Sequence, residues 1–297
     1  MTFVMDGIRP FNKYLSLLLS EIFYGGYYAA LGSPFLILSV SLILSLKCDF
    51  PILSISYLLP LIVYSYDYYK DLEIDKLSNS KRTEYLSKKK SFYPFILFSY
   101  VLVLLSLLFL FSNFKLNLFI GGIIISGILY TKAFKGITKK IPLFKNIYTA
   151  LTWSSGGTFF ILFYNIMEVK LSFILIFIFI FMRVLINIIF FDLKDIESDK
   201  RESLKTLPVI LGKQKCILFL HGLNLFSLFP LFIGIYNQLI PFFSFSLSFF
   251  YFYVFYYIHK SENYENEELG LISHGMADSE FILWPFILAL ASISVVS

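Results

Sequence analysis

The chain has 297 residues, of which 58% are hydrophobic, 20% aromatic and only 15% charged, against roughly a quarter charged in soluble globular chains. That balance excludes water as the main solvent. The formal net charge is +5, no nucleic-acid partner is expected, and no glycine-rich phosphate loop, zinc-like Cys/His spacing or internal repeat stands out.

Apolar blocks near the roughly 20 residues that a helix needs to cross hydrocarbon lie at about 22–46, 51–70, 94–112, 116–131, 146–163, 171–191, 216–235, 240–258 and 281–297. They predict an all-α, polytopic membrane protein with about nine transmembrane helices. The first apolar block starts near Tyr14 and is too long for one perpendicular helix. It is expected either to kink at Gly32, Ser33 and Pro34 or to open with an interfacial segment, Phe11 to Ser20.

Charge placement gives the orientation, because Lys and Arg favour short cytoplasmic loops. With the N-terminus inside, 21 of the 25 basic residues fall on the cytoplasmic side. Only Lys47, Lys115 and Lys170 lie outside, and Arg183 lies within a span. The expected protein is an integral, multi-pass protein of the cell membrane, one transmembrane domain over 1–297, with cytoplasmic loops at about 67–93, 131–146 and 192–215. Cys48 and Cys216 fall near opposite faces, so no disulfide joins them. Residues 1–13 contain Asp6, Arg9 and Pro10, and no cleavable signal peptide is expected.

The most informative residues sit where two spans reach the cytoplasm. Asp67, Asp71 and Asp75 are spaced i, i+4, i+8, one row along a helix with about 6 Å between neighbours. Asp192, Asp195 and Asp199, spaced i, i+3, i+7, form a second row on one helical face. Like charges at these spacings destabilise a helix, and a hard divalent cation with oxygen ligands relieves them. A solvated helix cap is the competing reading of either row alone. Both rows, in phase and on one side of the membrane, suit a metal–diphosphate clamp better: Mg²⁺ commonly binds one or two carboxylates plus substrate phosphates, and nearby Lys and Arg supply donors for phosphate oxygens.

These residues resemble the UbiA superfamily of intramembrane prenyltransferases, from about Arg9 to Gly212. In the first signature Asp67 stands where the family has Asn and Tyr68 where it has Asp. Asp71, Asp75 and Arg82 match, and Thr83 replaces a Pro. The second signature resembles Asp192, Asp195 and Asp199, leading to the run Lys205-Thr206-Leu207-Pro208-Val209-Ile210-Leu211-Gly212, with Ser203 in place of the usual Gly. Tyr130 and Lys135, followed by Ile141 to Asn146, are similar to the family's Tyr/Lys loop and the start of its fifth helix.

The resemblance implies a nine-helix bundle around a cavity capped by the cytoplasmic loops and open sideways to lipid. It implies Mg²⁺ held by Asp67, Asp71, Asp75, Asp192, Asp195 and Asp199, with Tyr130 bordering the diphosphate or the allylic carbon. Arg82, Lys135 and Lys205 are the expected ligands of the remaining diphosphate oxygens. Asn187, one turn before Asp192, is read as orienting that carboxylate, touching the acceptor, or bonding between helices. The expected partners are a polyprenyl diphosphate donor, an aromatic or lipid acceptor, and the bilayer. The acceptor stays open between an aromatic quinone-precursor ring and a glycerol-phosphate lipid as in archaeal ether-lipid synthesis. A non-catalytic isoprenoid-binding member and a transporter are the other readings.

Arg183 is expected to find a carboxylate inside the bundle, since an unpaired charge within a span is costly. Glu21 is read either as an acceptor-site base or, if the first block opens with an interfacial helix, as a residue of the membrane surface, and Trp153 and Trp284 as interfacial anchors. His221, His259 and His274 share no ligand spacing.

Overall fold

The computed structural model describes residues 11–70, 72, 80–130, 135–264 and 266–296, and every regular element among them is helical. Helix α1 (Phe11–Tyr24) leads the chain and exposes Leu15, Leu17 and Leu18. It stops at Gly25-Gly26, and Gly26 has φ 81, a left-handed conformation that favours glycine. A Cβ at Gly26 would also crowd Tyr68 at 3.2 Å and Tyr64 at 3.3 Å. Helices α2 (Tyr27–Ala30) and α3 (Gly32–Leu44) follow. The main break therefore lies at Gly25-Gly26, and a second, one-residue interruption falls at Leu31, directly before Gly32, Ser33 and Pro34. Pro34 occupies the first turn of α3, where its missing N–H has no intrahelical partner to lose.

The chain continues through α4 (Phe50–Lys70), α5 (Ser80–Ser87), α6 (Tyr93–Phe111), α7 (Phe114–Leu129), α8 (Lys135–Thr138), α9 (Phe144–Tyr164) and α10 (Leu171–Asp192). Two short helices, α11 (Ile196–Arg201) and α12 (Leu207–Leu211), lead into α13 (Lys213–Phe226) and α14 (Leu228–Tyr236). A 3-10 run, Phe242–Ser248, feeds α15 (Phe249–Lys260), and α16 (Asn266–Ile272) passes through a π turn, Ser273–Ala277, into α17 (Asp278–Val296).

Among the described residues, six stretches are long and apolar enough to cross a membrane: Tyr27–Leu44, Phe50–Lys70, Tyr93–Phe111, Leu171–Asp192, Lys213–Tyr236 and Glu268–Ser294. Nine were expected. The remaining three expected spans fall on α7, with 16 residues, on α9, and on the 3-10 run with α15, and none of these reaches that mark. Helix α9 has the length, with 21 residues, but its polar residues lower its hydropathy, and Lys145, Thr149 and Trp153 among them line a cavity.

Helix α10 packs on α9, α13 and α14, while α3 packs on α4, α9 and α17. Lipid is as apolar as these side chains, so close packing and hydrogen bonds between helices must hold the bundle. Gly157 of α9 illustrates the first, since a Cβ there would lie 3.3 Å from the Leu36 Cβ of α3. Asn113 illustrates the second. It caps α7 by accepting from the Leu116 N–H at 3.0 Å and donates to the Phe163 and Tyr164 carbonyls at 3.0 and 3.1 Å, tying α7 to the end of α9. Helix α6 turns outward, with Phe95, Phe98 and Phe109 exposed.

Arg183 finds its carboxylate. Its Nη2 and Nε donate to Glu280 Oε1 of α17 at 2.6 and 2.8 Å, Nη1 to Asn224 Oδ1 at 2.6 Å, and Nη2 also to the Phe250 carbonyl at 3.1 Å. Arg183 is 1% exposed and Glu280 0%, so the cluster is sealed. Trp284 is no interfacial anchor. It is 1% exposed and stacks on Phe179 at 5.2 Å, because one turn of α17 places it beneath Glu280 in the bundle interior. Glu21 lies at the edge of α1, where it takes Lys89 and Tyr85 as partners.

Candidate active site

A cavity of about 420 Å³ opens where α4, α9, α10 and α17 end or bend together. Asp67 and Tyr68 reach it from the last turn of α4, Arg82 from α5, Tyr130 from the end of α7, and Lys145 and Trp153 from α9. Asn187 and Asp192 come from α10, Asp195 and Asp199 from the segment after it, and His274 and Asp278 from the opposite wall. Seven of the expected site residues, Asp67, Arg82, Tyr130, Asn187, Asp192, Asp195 and Asp199, thus converge on one space. Asp71 and Asp75 lie outside the described residues, and so does the side chain of Lys135 in α8. Trp153 lines the cavity and packs on Tyr64 at 6.1 Å, so it too is not an interfacial anchor.

The second acidic row is not one continuous helical face. Helix α10 ends at Asp192, a turn carries Leu193 to Asp195 with the Asp195 N–H donating to the Asp192 carbonyl at 3.1 Å, and α11 starts afterwards. Three carboxylates on one helix would repel at every turn, and the break lets each take a separate partner. Asp192 accepts from Lys145 Nζ at 2.8 Å and from Asn146 Nδ2 at 2.7 Å. Asp195 accepts from Lys194 Nζ at 2.8 and 3.0 Å. Asp199 accepts from Thr206 Oγ1 at 2.9 Å and lies 3.8 Å from Lys145 Nζ. Burial pushes the Asp199 carboxyl up to about 6, against the opposing pull of Lys145.

Lys145 and Lys194 are the cations that reading by motif missed. Lys145 lies in the run from Ile141 to Asn146 that carries the resemblance, but no spacing along the sequence ties it to Asp192. Only the packing of α9 on α10 brings it to Asp192. Lys205 has the opposite outcome. Its side chain is exposed and off the cavity wall, with Nζ at 3.5 Å from the Lys140 carbonyl. Its backbone is what acts at the site: the Lys205 N–H donates to the Thr138 carbonyl at 3.1 Å and its carbonyl accepts from the Leu143 N–H at 2.9 Å. This bridge holds the 139–143 loop against the 202–206 loop, and so sets Thr206 on Asp199 and Asn146 on Asp192.

Two departures from the expected motif gain a physical reading. Tyr68 stacks parallel to Tyr64 at 5.9 Å, and the Arg82 guanidinium lies 4.3 Å over its ring. An aromatic face thus orients Arg82 by cation–π attraction, where a carboxylate was the motif's residue. Ser203, in place of Gly, has φ 57. That left-handed conformation explains the preference for glycine there, because a Cβ costs about 1–2 kcal/mol in it. Asn187 does not orient Asp192. Its Nδ2 donates to the Ala277 carbonyl at 2.9 Å, inside the π turn before α17.

The donor set is one of carboxylate oxygens, which suits a hard cation such as Mg²⁺. Among the described residues no three Asp, Glu, His or Cys side chains stand close enough to cage a metal by themselves.

The fold and this cavity define a helical membrane protein with an acid-and-lysine pocket at one end of its bundle. The chain matches the model of the UbiA prenyltransferase family over residues 22–271 and belongs to that family, whose members are membrane proteins. Its fold is similar to that of a UbiA homologue from Aeropyrum pernix K1, with TM-score 0.65 and 13% identity over 91% of this chain and 98% of that one. A UbiA homologue from Archaeoglobus fulgidus bound to DMAPP and Mg²⁺ is also similar, with TM-score 0.61 and 16% identity over 91% and 99% of the two chains. A third likeness is to digeranylgeranylglyceryl phosphate synthase, with TM-score 0.56 and 17% identity over 94% and 98%. No curated protein sequence matches the chain.

Proposed function

We propose that the protein transfers a polyprenyl group from an isoprenoid diphosphate to an acceptor in the membrane, with Mg²⁺, and that the acceptor is an aromatic quinone-precursor ring. The observation that carries this reading is the convergence of Asp67, Asp192, Asp195 and Asp199 with Arg82, Lys145 and Lys194 around one aromatic-walled cavity. The A. fulgidus homologue holding DMAPP and Mg²⁺ supports both the donor class and the metal. Asp67, Asp71, Asp75, Asp192, Asp195 and Asp199 are the proposed metal ligands. When bound, Mg²⁺ supplies Lewis-acid charge neutralisation for the diphosphate leaving group.

The chain's own residues do the rest. Arg82, held on Tyr68, and Lys145 and Lys194 offer charge-assisted hydrogen bonds to diphosphate oxygens. Lys135 is the further proposed donor, while Lys205 is withdrawn from that role by its outward side chain. The rings of Tyr64, Tyr68, Tyr130 and Trp153 line the cavity, and their faces stabilise positive charge on the allylic carbon where water is excluded. The basic loops face the cytoplasm in this reading, and 1–297 acts as one unit.

A second reading, a glycerol-phosphate lipid as acceptor, draws on the similarity to digeranylgeranylglyceryl phosphate synthase. Purified protein incubated with geranylgeranyl diphosphate, Mg²⁺ and both acceptor types, with and without EDTA, separates them. Metal-dependent product on the aromatic acceptor is expected. Product on the lipid alone overturns the aromatic assignment, and no product on either leaves an isoprenoid-binding protein without catalysis. Asp71→Ala and Asp192→Ala should each abolish diphosphate release while the protein stays folded in detergent, and full activity in either sinks the clamp.

A further inference from the structure

The wall of the cavity facing the acidic segment is built by a π turn, Ser273–Ala277, in the middle of an otherwise α-helical stretch. Such single turns widen a helix, leave carbonyls without their usual partners, and are frequent at functional sites. Here other helices fill the vacancies. Asn187 donates to the Ala277 carbonyl at 2.9 Å, and Tyr253 Oη donates to the Met276 carbonyl at 2.9 Å. Ser279 donates to the Gly275 carbonyl and pairs with the Tyr28 hydroxyl. The widened turn is thus pinned from α2, α10 and α15.

What the pinning presents is a histidine and a carboxylate. His274 Nδ1 lies 3.5 Å from Asp278 Oδ2, one turn apart, and both side chains line the cavity. The His274 ring meets Phe191 edge-on at 5.2 Å, which fixes its plane. Asp278 Oδ2 is buried and makes no hydrogen bond, and the His274 imidazole at 3.5 Å is the basic group that approaches it. A histidine whose Nδ1 faces a carboxylate presents Nε2 as its other reactive edge. Lys194 lies near Asp278 and Tyr64 of α4 across the cavity, and Asp67, Asp192 and Asp195 line the same space. Neither His274 nor Asp278 belongs to an aspartate row, and both stand on α16–α17 elements that contribute no diphosphate-binding residue above.

We propose that His274, positioned by Asp278, is the hydroxyl-recognition point of the acceptor subsite: it accepts the acceptor's hydroxyl hydrogen bond and takes up the proton the acceptor loses. This rests on the prenyl-transfer reading. The allylic C–O bond breaks with its electron pair leaving on diphosphate, and the acceptor forms the new bond. A hydroxyl oxygen forming a C–O bond gives up the O–H proton; a phenol forming a C–C bond passes its O–H proton to Nε2 as the ring carbon attacks, and the dienone so formed rearomatises by losing its ring proton and regaining one at oxygen. In either product one proton passes to His274 and on to water. The ligand chemistry is a hydroxyl-bearing acceptor, phenol or alcohol.

The test uses the full chain in detergent, with His274→Gln and Asp278→Asn each compared to the unmodified protein by thermal unfolding. Binding of 4-hydroxybenzoate and of a glycerol-phosphate lipid alcohol is measured without donor, and product per diphosphate released is measured with geranylgeranyl diphosphate and Mg²⁺. His274→Gln should weaken acceptor binding about tenfold or more, as expected for a lost buried hydrogen bond, and lower product per diphosphate released roughly 10²-fold. Asp278→Asn, which still reaches Nδ1, should fall between. The acceptor whose binding responds identifies the hydroxyl source. Unchanged acceptor binding in His274→Gln overturns the proposal, as does an unchanged ratio of product to diphosphate. If no product forms with any protein yet acceptor binding still depends on His274, the transfer reading fails while the recognition site stands.

Discussion

Helix α10 carries two charged clusters about 13 Å apart along its axis, and they are built in opposite ways. At Arg183 the guanidinium meets a carboxylate, an amide and a carbonyl from three other elements, with nothing of it left to solvent. At Asp192 the partners are a lysine and an amide beside an open cavity, and Lys145 is shared with Asp199 at a longer 3.8 Å. A charge whose partners are fixed and sealed holds helices in place. A charge whose partner is a flexible ammonium at a cavity wall can exchange that partner for a phosphate oxygen or a cation. The same helix thus supplies structure in its middle and chemistry at its end.

Breaking the sealed cluster should have the largest effect. Arg183→Met leaves Glu280 buried without its counter-charge, and removing one partner of a buried pair costs about 3–5 kcal/mol. A large loss of Tm in detergent is expected, with activity lost as the protein unfolds; an unchanged Tm would show that the cluster is not what pins α10 to α17. The double variant Arg183→Met with Glu280→Leu should recover part of that loss, because it removes the orphaned charge.

Lys145→Met should act the other way round. The fold should survive, since Asp192 keeps Asn146, while donor affinity falls roughly ten- to a hundredfold, the worth of one or two charge-assisted hydrogen bonds at about 1.5–3 kcal/mol each. Donor titration with Mg²⁺ followed by thermal shift reads this directly. Unchanged donor affinity would return Lys145 to a structural role.

Asp199 gives a pH signature of the open cluster. Its raised folded pKa of about 6 means the fold holds this proton more tightly than the unfolded chain does. Its contribution therefore favours the fold at low pH and is lost as pH rises through about 6. Metal binding needs the ionised form, so the Mg²⁺-dependent thermal shift should shrink as pH falls from about 8 to about 5, and Asp199→Asn should flatten that dependence. The smallest effect is expected at Ser203. Ser203→Gly removes a left-handed side chain at the cost of a more flexible unfolded chain, for a net gain of about 0.5–1 kcal/mol, visible as a slightly higher Tm.

The convergence of Asp67, Asp192, Asp195 and Asp199 and the long apolar stretches were legible because each signal is local: spacing near a helix end, or length of an apolar run. Local signals also decided that Arg183 needed a carboxylate, though not that it would be Glu280, 97 residues away. Tertiary structure alone decided the rest. Which lysine meets Asp192 depends on how α9 packs on α10. That Lys205 serves by its backbone depends on how two loops pair. That Trp284 is interior, and that His274 and Asp278 face the aspartates, depends on a π turn whose carbonyls are filled by Asn187 and Tyr253 from other helices. A hydrogen bond between helices leaves no period in the sequence, so those contacts could be found only by folding the chain.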